Sequence, residues 1–93
     1  MRRYRAAPAG ALAAAPLDQL TALYHRPSGV THLVDAPVPQ LLALLGEEPA
    51  DAAALLGRLT AEYDIPDADT ATLEARLDEM VALGLARRDG GDR

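Results

Sequence analysis

The chain contains no cysteine, which removes disulfides, thiolate metal sites and a cysteine nucleophile together. It also lacks lysine and asparagine, and alanine is abundant. That is the signature of GC-rich coding, and it carries no functional weight. No apolar run approaches the roughly 20 residues that span a bilayer. Arg2, Arg3 and Arg5 lead into Ala/Pro/Gly sequence that Pro16 and Asp18 interrupt, so the start does not read as a secretion signal. The expectation is a cytoplasmic chain with no membrane partner. Serine occurs once, at Ser28, with no base positioned to activate it. Nucleophilic catalysis therefore has no candidate, and neither does a carrier protein's arm-bearing serine at a helix start. Glycine-rich phosphate loops are missing, Gly90 and Gly91 belonging to the tail. No enzyme activity, metal or cofactor is expected.

Ninety-three residues make one domain, of a size that buries only about 60 to 65% of its unfolded surface. The net charge of −5 is unevenly spread. Residues 1–34 hold Arg2, Arg3, Arg5 and Arg26 against Asp18, whereas residues 35–79 hold eleven acids against Arg58 and Arg76. Nucleic acid wants the opposite sign on a recognition helix, so none is expected as a partner. An acidic body instead favours a basic peptide.

Residues 1–17 are rich in Ala and Pro, with a first strand expected near Arg3 to Ala7 or near Ala11 to Ala15. Leu20 to His25 and Val30 to Val34 alternate and are bounded by turn residues, which predicts a hairpin. Pro27 presets φ for a turn and Gly29 supplies a positive φ, giving a three-residue loop of Pro27, Ser28 and Gly29. Asp35 is the expected cap of a first helix, with Pro37 in its first turn, Val38, Leu41, Leu42 and Leu45 at helical spacing and Gly46 as its stop. Asp51 caps a second helix carrying Leu55, Leu56, Leu59 and Tyr63, which ends before Ile65-Pro66. Asp69 or Thr70 caps a third, with Leu73, Leu77, Met80 and Val81 on one stripe and Gly84 just past its end. Leu85 packs back, and residues 86–93 fray.

A three-residue loop pairs Arg26 with Val30, His25 with Thr31, Tyr24 with His32 and Leu23 with Leu33. Bonded and non-bonded pairs alternate along such a ladder, so Thr31 and Leu33 direct their backbone N–H and C=O away from the partner strand. With residues 30–34 at the sheet edge these groups form an open row, uninterrupted by proline or charge until Asp35. In this register His25 and His32 lie on opposite faces and cannot share an ion.

Two or three antiparallel strands and three helices predict an α+β domain of winged-helix type, a small sheet packed on a three-helix bundle. The string from Leu20 to Val34, and above all Tyr24-His25-Arg26-Pro27-Ser28-Gly29-Val30-Thr31-His32-Leu33, resembles the PqqD family. Within it, the string is similar to the HPr-rel-A system peptide chaperones, over residues 18–85. The Ala-rich segment 9–15, with Tyr4 the sole aromatic before it, departs from the family pattern. The resemblance implies a non-catalytic element that holds the leader of a ribosomally made peptide and presents it to a modifying enzyme, with an HPr-kinase-like protein nearby. It also implies that the leader adds to the third strand, beside the third helix. Edge and stripe together give the expected peptide-binding residues: Val30, Thr31, His32, Leu33, Val34, Asp35, Leu73, Arg76, Leu77, Met80 and Val81. A monomer or weak homodimer is expected. The rival readings are a winged-helix DNA-binding regulator and a structural subunit of an enzyme complex.

Overall fold

The computed structural model describes residues 3–8, 10–63 and 69–89, with Asp89 alone described by its backbone only. In chain order the elements are β1 (Arg3–Ala6), β2 (Leu12–Leu17), β3 (Leu20–His25), β4 (Val30–Val34), α1 (Val38–Glu47), β5 (Ala50–Asp51), α2 (Ala52–Glu62), α3 (Thr70–Ala82) and β6 (Ala86–Asp89). The class is α+β, the described residues forming three helices and two three-stranded antiparallel sheets, ordered β5-β1-β6 and β2-β3-β4. Both segments offered for a first strand are strands, one in each sheet. The string at 30–34 is therefore the fourth strand in chain order.

Residues 86–89, expected to fray, instead pair with β1, Tyr4 opposite Arg88 and Ala6 opposite Ala86. The reason lies in Tyr4, which is wholly buried and donates its hydroxyl to Asp78 Oδ1 on α3 at 2.7 Å. With Ala86 also buried, this central β1 needs β6 as its second neighbour.

The helices start largely where their caps predict. Asp51 accepts the Ala54 N–H at 2.8 Å, and Asp69 accepts the Thr72 N–H at 2.8 Å. Asp35 does not cap α1; the helix follows Pro37 with no side-chain cap, and Asp35 contributes only its carbonyl, which accepts the Val38 N–H. Gly46 lies inside the last turn of α1, which runs on to Glu47. The expected end of the second helix near Ile65-Pro66 lies outside the described residues; α2 stops at Glu62, with Tyr63 as its extended C-cap.

α3 closes on a Schellman arrangement. Gly84, at φ +82°, donates to Val81 C=O, and Leu85 donates to Met80 C=O. Leu85 is thereby turned into the core and is fully buried. It joins Leu41, Leu44, Leu55, Leu59, Leu77 and Met80, one buried stripe from each helix meeting Tyr4 and Leu23 from the two sheets. Each such side chain contributes about 1.5 to 3 kcal/mol on burial.

Candidate functional site

The hairpin of β3 and β4 differs from its expected register by one residue. Its loop has four residues, Arg26 to Gly29, and the pairs run His25 with Val30, Tyr24 with Thr31, Leu23 with His32, Ala22 with Leu33 and Thr21 with Val34. The cause is local hydrogen bonding. The Arg26 N–H is drawn the other way, to Ala11 C=O at 2.8 Å, so Arg26 cannot close the hairpin. Gly29, at φ +73°, donates to His25 C=O at 2.8 Å. Ser28 Oγ accepts the Val30 N–H and lies 2.7 Å from His25 Nδ1, so, contrary to the expectation from sequence, the serine does have an imidazole beside it, brought there by the four-residue loop.

The slip changes which side chains share a face. Leu23, His25, Val30, His32 and Val34 turn toward the helices, whereas Tyr24, Thr31 and Leu33 turn outward. His25 and His32 therefore lie on one face, diagonal to each other, contrary to the expectation from sequence. Among the described residues no group of three metal-ligating side chains forms. His25 instead packs its ring on the end of α3, where a Cβ placed on Gly84 would lie 3.3 Å from Nε2.

The slip does not change which main-chain groups of β4 face outward. β2 and β3 join through Asp18-Gln19, and Leu17 pairs with Leu20 across this two-residue turn, Asp18 taking the positive φ that such turns require. A two-residue hairpin closes on a bonded pair, so the bonded pairs of β2 with β3 are Leu17–Leu20, Ala15–Ala22 and Ala13–Tyr24. Pro16, which has no N–H, falls at a non-bonded pair with Thr21, as it must. The Arg26 to Ala11 bond continues the same alternation. Thr21, Leu23 and His25 are then left to bond β4 at Val34, His32 and Val30, and Thr31 and Leu33 aim their N–H and C=O away from the sheet. Among the described residues β4 pairs with β3 alone.

Beside this edge lies a cleft of about 170 Å³ between β4 and α3. Its base is Val38, Met80 and Leu85, all nearly or wholly buried. Leu33, Val34 and Leu83 flank it, and Asp35, Arg76 and Glu79 carry its charges. Drug-sized pockets run to roughly 300 to 1,000 Å³, so this one fits a single side chain. Arg76 pairs with Glu79 at 3.3 Å along the helix, both well exposed. Of the expected site residues, Leu33, Val34, Asp35, Arg76 and Met80 come together here. Val30, Thr31 and His32 belong to the same strand but do not line the cleft. Leu73 and Leu77 are buried in the core, and Val81 is half-buried against it, so none of these three lines the cleft. Sequence reasoning missed Glu79, Leu83, Val38 and Leu85. The first two sit three and seven residues beyond Arg76, the spacing of one helix face, and that signal was available.

Along its whole length α3 and its cap are acidic, Asp69, Glu74, Asp78 and Glu79 against Arg76, although the two charges it presents to the cleft, Arg76 and Glu79, pair with each other. Asp69, at the helix N-terminus, is held below its ordinary carboxylate range, chiefly by the bond from the Thr72 N–H and next by the Thr72 hydroxyl. The outer face of the β2-β3-β4 sheet carries no charge between its turns; Leu17, Leu20, Tyr24 and Leu33 are 41 to 62% exposed there. No helix is long and apolar enough to cross a membrane, among the described residues.

No protein-family profile and no curated protein sequence matches the chain. Among solved structures it is similar to TbiB1 in complex with the TbiA(beta) leader peptide, at 22% identity and a TM-score of 0.58, over 96% of this chain and 99% of that one. The likeness runs almost end to end, and it places the three helices and two small sheets in a fold already seen in TbiB1.

Proposed function

We propose that this chain is a non-catalytic leader-binding module of the PqqD type, which captures the leader of a ribosomally made precursor peptide and presents it to a modifying enzyme. The leader adds as a strand to β4, bonding the outward groups of Thr31 and Leu33, and sets one side chain into the cleft beside α3. The observation that carries this reading is the open β4 edge lying directly beside a cleft sized for one side chain. The fold likeness to TbiB1, solved with a leader peptide, supports it.

The energetics require both parts of the site. About four backbone bonds at a net ~0.5 to 1.5 kcal/mol each fall short of the about 8 kcal/mol of micromolar binding once ordering costs are counted. The apolar cleft supplies the difference. A DNA-binding role loses ground on the same helix, where Asp69, Glu74, Asp78 and Glu79 stand against Arg76, the sign that repels phosphate.

The test is a titration of the isotope-labelled protein with peptides encoded beside its gene, followed by amide shifts. Shifts concentrated at residues 30–36 and 76–85 are expected. Shifts scattered elsewhere reject the site, and steep salt-dependent retention on heparin would revive the regulator.

A further inference from the structure

We infer that the cleft selects a leader segment in which one apolar side chain has a lysine or arginine within two residues of it. The inference rests on the strand-addition reading and deepens it. A guest bonded to Thr31 and Leu33 alternates its side chains, and those opposite His32 and Val34 project toward α3. The one opposite Val34 meets Val38, Met80 and Leu85, a base with no polar side-chain atom and room for one residue. That position takes an apolar anchor.

Its neighbours meet the charges around the cleft. Asp35 continues β4 and is exposed, and among the described residues its carboxylate has no ion-pair or hydrogen-bond partner. Glu79 stands opposite on α3. Among the described residues Arg76 is the one cation facing the cleft, and its guanidinium already engages Glu79. Arg58 and Arg88 are committed elsewhere, to Glu47 and Glu48 and to Asp78. A cationic guest side chain therefore finds Asp35 and the far oxygen of Glu79, with its methylenes laid over Leu83. A guest carboxylate meets uncompensated negative charge. For exposed charges about 5 to 7 Å apart, reversing the guest's sign changes affinity roughly three- to tenfold at low salt, and less at high salt.

The experiment is selection from a random dodecamer peptide library displayed on its own mRNA, followed by amide-shift titration with the best binder. Enriched peptides pairing an apolar residue with Lys or Arg are expected. Replacing that cation by Glu should weaken binding three- to tenfold at 50 mM salt and less at 500 mM. The double variant Asp35→Asn/Glu79→Gln, whose changes are on the surface, should shrink the preference for the cation. Equal affinity of the cationic and acidic peptides, with shifts still at residues 30–36, overturns the selectivity and leaves strand addition standing. No enrichment, or shifts away from the β4 edge, overturns both.

Discussion

Replacing Thr31 and His32 by proline, one at a time, tests the direction of every main-chain group in β4 without any ligand. Adjacent residues of a strand point their N–H groups to opposite sides, so one proline deletes an outward donor and the other an inward one. In Thr31→Pro the lost N–H has no strand partner among the described residues and the ring projects off the exposed edge, where proline is tolerated. The cost is the narrowed φ and the restriction on Val30, about 1 kcal/mol or less. In His32→Pro the lost donor is the one that reaches Leu23, whose residue is only 3% exposed. An unpaired carbonyl there costs about 1 to 3 kcal/mol, and the ring is forced into the ladder, for a total of about 3 kcal/mol or more. Urea unfolding at 25 °C resolves a difference of this size. Equal destabilisation by the two prolines, or the reverse order, refutes the outward assignment of Thr31 and with it strand addition at this edge. Where leader binding is measurable, Thr31→Pro should also weaken it about 2- to 13-fold, the equivalent of one backbone bond at ~0.5 to 1.5 kcal/mol.

Tyr4→Phe should cost about 1 to 2 kcal/mol in the same urea assay, the low side of a charge-assisted bond, because Asp78 is a third exposed and water can replace the hydroxyl. Gly84→Ala should cost about 1 to 2 kcal/mol from the left-handed backbone alone, with the His25 ring displaced as well; an unperturbed His25 side-chain resonance would contradict the packing described. Asp69 contributes stability that is full above the ordinary carboxylate value of 3.8 and is lost as pH falls through its depressed folded value. Asp69→Asn should accordingly flatten the acid limb of thermal unfolding below about pH 4 and leave its slope near neutrality unchanged.

The helices were legible because their signals are local. Asp51 and Asp69 stand immediately before apolar stripes at helical spacing, and Gly84 marks a C-terminal turn. The strands near both ends were less so. β6 reads Ala-Arg-Arg-Asp, four residues without a large apolar side chain, and only its partner β1, eighty or more residues away, makes it a strand. The hairpin register failed for a related reason: Pro-Ser-Gly fits a three-residue loop on local rules, but the claim of Ala11 on the Arg26 N–H comes from the residue just before β2. The outward parity of Thr31 and Leu33 survived the error, since Val30 closes the hairpin in either register. Helical periodicity identified the buried stripe of Leu73, Leu77 and Met80 correctly as a stripe, but not which neighbour it faces. Only the observed packing separates that core stripe from the adjacent one of Arg76, Glu79 and Leu83, which opens on β4.

The union of β1 with β6 sets an order on how the chain can assemble. The meander of β2, β3 and β4 needs only neighbouring residues, so it can close early, while the sheet that encloses Tyr4 waits until β6, beyond all three helices, has been made. Until then Tyr4 is without its seat, and the three helical stripes have an open side. A nascent chain stalled short of residue 86 should thus keep its hairpins and lack a closed core, and protease should cut it in the helices first.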